Sequence, residues 1–126
     1  MTSRSTTNAS LTMRPDGILH IVFDFEELPS PESVDEFVTI HQELVGIDVP
    51  PVIIELVEIP YIDRSIRQLF MEKIAPPPCR AVVTTDQALL TMFRTFQMID
   101  AADVPTEVVP TVEAAVSWIQ AQTGSA

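Results

Sequence analysis

The stretch Val52–Lys73, VIIELVEIPYIDRSIRQLFMEK, decides the fold. Val52 to Val57 is an apolar run broken only by Glu55, set between Pro50-Pro51 and Pro60. A run of this kind predicts a strand covered on both faces, as in a parallel sheet. After Pro60 the period changes. Ile66, Leu69, Phe70 and Ile74 recur at helical spacing, with Asp63 placed to cap the helix and Pro76 to Pro78 to stop it. Strand, loop and helix in that order are the start of a β-α-β unit.

The same logic extends in both directions. Ser10 to Arg14 and Ile18 to Asp24 read as two strands joined by Pro15-Asp16-Gly17, whose residues suit a turn. Ser30 and Pro31 open a helix that runs to about Val45, with Val34, Phe37, Val38, His41, Leu44 and Val45 on one face. Gly46 ends it. On the C-terminal side, Cys79 to Thr84 is another buried strand, and Thr85 or Asp86 caps a helix to about Met98. A short strand over Thr106 to Val109 follows, and then a helix capped by Thr111. In the last helix Val112, Ala115, Val116 and Ile119 form the buried stripe. The expected order is β-β-α-β-α-β-α-β-α: one α/β domain over residues 10 to 122, with a mixed, mostly parallel sheet packed with helices. Met1 to Ala9, Ser/Thr-rich and without an apolar segment, reads as a frayed, disordered tail.

Composition narrows the function classes. The 126 residues hold 7 basic and 18 acidic side chains, a net charge of -11, which disfavours nucleic acid and anionic membranes as partners. No apolar run approaches the roughly 20 residues that span a bilayer. With one cysteine and no signal peptide, the cytoplasm is the expected compartment. Charge is segregated: twelve acids and no base lie between Asp16 and Asp63, whereas five of the seven bases lie between Arg64 and Met98. Two readings stand, solvated helix faces or a polarised surface that steers a partner.

Two places in the chain are candidate sites. The first is the corner Asp63, Arg64, Ser65 and Arg67, at a helix start where unpaired N–H groups and two arginines suit a protein contact or an anion. Against that, Asp63 is also a plain helix cap that pairs with Arg67 four residues on. The second is the helix from Asp86 to Met98. Ala88, Leu89, Leu90, Met92, Phe93, Phe96 and Ile99 give it an apolar arc of roughly 200°, more than the ~100° one core contact uses. The surplus suits a dimer interface or an apolar pocket, unless loops and the last helix cover it. His20 and His41 are too few for a zinc site and read as satisfied core-edge histidines; a polar cluster of the two with Glu55 is the alternative, which nothing in the spacing shows. Cys79 reads as an inert buried thiol, with Arg80 on the opposite sheet face. The glycines are Gly17, Gly46 and Gly124, so no phosphate-cradling loop exists, and no Gly-x-Ser-x-Gly elbow places a nucleophile. No cofactor, metal or catalytic residue is expected.

This order of pieces resembles the anti-sigma-factor-antagonist class, the STAS or SpoIIAA-like domains. Those carry a strand, a loop with an Asp-Ser-Ser/Thr-Gly corner, and a helix. Asp63 falls on the family's Asp and Ser65 on its second hydroxyl residue. Arg64 stands in place of the phospho-accepting serine and Ile66 in place of the glycine. The chain is also similar to small bacterial STAS/SEC14-like proteins in Asp16-Gly17-Ile18-Leu19-His20-Ile21, in Pro105-Thr106-Glu107-Val108, and in Glu113-Ala114 through Trp118-Ile119. The resemblance implies a SpoIIAA-like fold and a non-enzymatic protein. Together with the corner and the apolar surplus it gives the expected function, a regulatory or protein-interaction module, homodimeric or bound to a protein partner, without the usual phospho-accepting serine. The SEC14-like side of the resemblance implies the alternative, a carrier of a small apolar ligand or lipid.

Overall fold

The computed structural model describes residues 2–24, 29–58, 64–88, 91 and 104–124, with backbone alone at 57, 58, 64, 67, 70 and 71. Six strands form one mixed sheet: β1 (Thr2–Ser5), β2 (Ala9–Met13), β3 (Leu19–Asp24), β4 (Val52–Glu58), β5 (Arg80–Val83) and β6 (Thr106–Val109). The described helices are α1 (Pro31–Val45), α2 (Arg64–Lys73) and α3 (Val112–Thr123). Strand order in the sheet follows chain order, β1 to β6. β1, β2 and β3 are antiparallel neighbours, and β3 to β6 are parallel. The three apolar strands expected at the centre, β3, β4 and β5, are flanked on both sides. The expected helix over 86 to 98 falls largely outside the described residues.

The sheet separates two cores. On its first face Ala9, Leu11, Leu19, Ile21 and Val52 pack with Phe37 of α1, and Ile74, just past α2, joins them. On its second face Ile53 and Ala81 pack with Ala115 and Ile119 of α3, alongside Ile18 and Cys79. Strands that follow one another step by step make each crossover turn the same way. Right-handed connections then bring their helices to one side. α1 packs against α2 in agreement with this, while α3 lies over β4, β5 and β6.

Local chemistry sets the helix ends. Ser30 Oγ accepts from the Ser33 N–H at 3.2 Å, and Ser33 Oγ accepts from the Ser30 N–H at 2.8 Å. This is a reciprocal cap on α1, with Pro31 in the first turn where its missing N–H is not needed. Gly46 ends α1 at φ 64°, its N–H donating to the Gln42 carbonyl at 2.9 Å. Thr111 Oγ1 caps α3 by accepting from the Ala114 N–H at 3.1 Å. The Asp63 cap expected for α2 lies outside the described residues. Between β2 and β3, Gly17 adopts φ 83° and donates its N–H to the Arg14 carbonyl at 3.0 Å.

The N-terminal segment differs from expectation. Thr2–Ser5 is not a frayed tail but an edge strand, paired along β2 from Thr2↔Met13 to Ser5↔Ser10. It has no apolar side chain, so hydrophobic patterning carries no trace of it. Polar contacts hold it instead: Arg4 pairs with Glu43 at 3.0 Å, and the Ser3 and Thr12 hydroxyls are hydrogen-bonded at 2.9 Å.

Candidate functional site

β4 runs through the middle of the sheet and leads to the corner from which α2 starts at Arg64. The first turn of α2 contains Arg64, Ser65, Ile66 and Arg67. Ile66 is buried at 7% exposure, whereas Ser65 is exposed. The helix is therefore anchored by one side chain of its first turn and presents another. The far end of α2 is tied to α1 by an ion pair of Lys73 with Asp35. Backbone N–H groups at a helix start give such a corner a partial positive charge. Asp63 lies outside the described residues, as do the side chains of Arg64 and Arg67. So do Leu89, Met92, Phe93, Phe96 and Ile99 of the apolar set.

The second sheet face holds what sequence patterning did not assemble. Register aligns Ser3, Thr12, His20, Ile53 and Ala81 in one row across β1 to β5. The next row is Ser5, Ser10, Val22, Glu55 and Val83. α3 covers the apolar end of both rows. Over β1 to β3 no described helix lies on this face, and the side chains that alternate onto it are hydroxyls, His20, Val22 and Asp24. His20 Nε2 stands 3.4 Å from Glu55 Oε1, the two side chains being 20% and 29% exposed. That nitrogen is buried, with no hydrogen-bond partner among the described residues. The signal lay in parity. His20 interrupts Leu19-x-Ile21 and Glu55 interrupts Ile54-x-Leu56, so both point away from the first face once the strands align.

His41 takes no part in that pair. It belongs to α1, is 4% exposed, and its ring lies 6.0 Å from that of Phe37, on the first face. Burial pushes its pKa down and favours the neutral ring. The cluster of two histidines with Glu55 thus reduces to His20 and Glu55. No group of three or more metal-ligating side chains occurs among the described residues.

The chemistry open to this half-face is hydrogen bonding. A histidine beside a carboxylate and hydroxyls has the elements of acid–base work. But backbone N–H groups in the interior of a sheet are engaged in the ladder, so none there is free to hold a developing oxyanion. Cys79 supplies no nucleophile. It is 2% exposed beneath α3, and burial pushes its thiol pKa up. Arg80 aligns with Val52 on the first face and donates from Nε to Thr106 Oγ1 at 3.1 Å. It turns away from the sulfur, as alternation requires.

No family model matches the chain. No curated protein matches it either. Among solved structures it is similar to a chain in the crystal structure of the diguanylate cyclase SiaD in complex with its activator SiaC from Pseudomonas aeruginosa. The TM-score is 0.46 at 10% sequence identity, covering 86% of this chain and 100% of that one. A likeness of that extent assigns no role to this chain. No helix among the described residues is long and apolar enough to cross a membrane.

Proposed function

We propose that this chain is a non-enzymatic regulatory or protein-interaction module of the STAS type, which binds a protein partner through the corner at residues 63–67. The observation that carries this reading is the first turn of α2, where Ile66 is buried in the domain and Ser65 stands exposed. A helix turn anchored by one buried side chain and open on its polar side is suited to contact with a partner. The leading hairpin followed by alternating strands and helices supports the same reading, because the resemblance implies that order. Arg64 in place of the phospho-accepting serine makes the module constitutive at this corner. Self-association through Met92, Phe96 and Ile99 completes the proposal.

Co-purification from the cells that make the protein tests it, comparing the wild-type chain with Ser65→Trp and Ser10→Trp. The reading expects one identified partner to be kept by wild type and Ser10→Trp and lost by Ser65→Trp. Loss with Ser10→Trp alone would move the contact to the half-open sheet face. A stoichiometric apolar ligand in the native mass spectrum would favour the carrier. A phosphopeptide carrying modified Ser65 would restore the phospho-switch. For self-association, Met92→Glu or Phe96→Glu should give a folded monomer, since an unpaired charge buried in an interface costs several kcal/mol. A monomeric wild type in sedimentation removes the dimer.

A further inference from the structure

We propose that the outer edge of β2 is a strand-addition site held shut in cis by β1, and that its partner is an extended, cationic protein segment. This surface is distinct from the corner of α2 and stands without it. The argument starts from composition. Thr2–Ser5 is exposed at every residue and contributes no apolar side chain to either core. β2 beneath it is anchored, with Leu11 fully buried and Ala9 7% exposed. Removing β1 uncovers backbone but little apolar surface, so hydrophobic burial does not oppose its departure.

The ladder shows what is uncovered. The Asp24 N–H donates to the Asn8 carbonyl at 2.8 Å, and the Arg14 N–H to the Ile18 carbonyl at 2.9 Å. In an antiparallel sheet these groups alternate in direction along the strand. Ser10 and Thr12 therefore turn their backbone groups to β3, and Ala9, Leu11 and Met13 turn theirs to β1. The Thr6 N–H to Ala9 carbonyl bond, at 2.7 Å, lies on the β1 side as this parity requires.

The turn is anchored at Asn8, which is 5% exposed, and open at Thr7. Closure at Thr6 and Ala9 leaves Thr7 and Asn8 as a two-residue loop. Such loops favour backbone with positive φ, which follows the strand twist. Every described residue with positive φ is a glycine, so Thr7 and Asn8 do not supply it. An outside group helps instead: the exposed Glu36 carboxylate of α1 accepts the Thr7 N–H at 2.6 Å. The Arg4–Glu43 pair is exposed too, at 43% and 50%, and exposed pairs hold weakly.

β1 also describes its own replacement. An arriving strand must place a small hydroxyl residue opposite Thr12, as Ser3 does, and a cation opposite Leu11, where Arg4 reaches Glu43. Glu36 and Glu43 on the adjacent helix, in a chain of net charge -11, favour a basic segment over any other.

Amide exchange in the full chain is the first test. Leu11 and Met13 should exchange at least about tenfold faster than Ser10 and Thr12, and Glu36→Ala should widen the gap. Equal rates would mean that β1 opens only with the whole domain, and the proposal fails. The second test adds a fluorescein-labelled peptide of the chain's own first eight residues, MTSRSTTN, and its Arg4→Glu version. Saturable binding of the first, tightened by Glu36→Ala and absent for the second, is the expected result. Equal binding of both peptides, or of neither, overturns it. A dimer in sedimentation that disappears when residues 2–5 are removed assigns the edge to a second copy, and the cationic partner is then wrong.

Discussion

Ile53→Ala and Val22→Ala together measure how far α3 covers the second sheet face. Both side chains point to that face, on neighbouring strands. Ile53 has no exposed surface and touches the α3 core, whereas Val22 is half-buried. Truncating Ile53 removes about three methylene equivalents at ~0.8 kcal/mol each, and the unfilled space adds about 1 kcal/mol. The expected loss is about 3–4 kcal/mol, a large part of the roughly 5–15 kcal/mol that stabilises a domain. Val22→Ala removes less carbon from a site already reached by water and should cost under about 1 kcal/mol. Urea titration followed by tryptophan fluorescence from Trp118 gives both values, provided the slope is unchanged. Equal losses would refute the reasoning, because something would then cover β3 as fully as α3 covers β4.

Three further outcomes are expected. Burial holds His41 below its usual 6.5, so the unfolded chain binds the extra proton first and stability falls as pH drops through about 6.5; His41→Phe should flatten the stability profile on the acid side of that pH, and an unchanged slope would clear His41. Ser30→Ala removes the α1 cap and should cost about 1 kcal/mol in the same titration, and a loss near zero would show that the reciprocal bond with Ser33 contributes nothing. Cys79 should react with an aromatic disulfide reagent at least about a hundredfold more slowly in the native chain than in urea, and fast native labelling would expose a reactive thiol.

What was legible in the sequence is what burial and capping write locally. The apolar runs of β3, β4 and β5, the Ser30-Pro31 start of α1 and the Thr111 cap of α3 each follow from a few adjacent residues. β1 was illegible for the opposite reason. Thr2-Ser3-Arg4-Ser5 has no apolar period, and its attachment comes from Glu36 and Glu43, far along the chain. The His20–Glu55 pair needed the register of two parallel strands, which no spacing within either strand contains. The corner was legible as a helix start, and the buried Ile66 beside the exposed Ser65 adds the fixed direction in which that start faces.

The strictly sequential order of the sheet bears on how the chain is assembled during synthesis. From β2 onward, each strand docks on the one made just before it, so no described strand waits for a later one to be inserted between it and its neighbour. Each parallel pairing, such as Leu19 with Val52, still closes across the whole segment between the two strands, so the sheet is slow to form but grows from its N-terminal end as the chain leaves the ribosome. The exception is the second face, which α3 closes last. Until residues 112–123 have emerged, Ile53, Cys79 and Ala81 lie open on a nascent sheet. That interval is when a chaperone would find the most to hold.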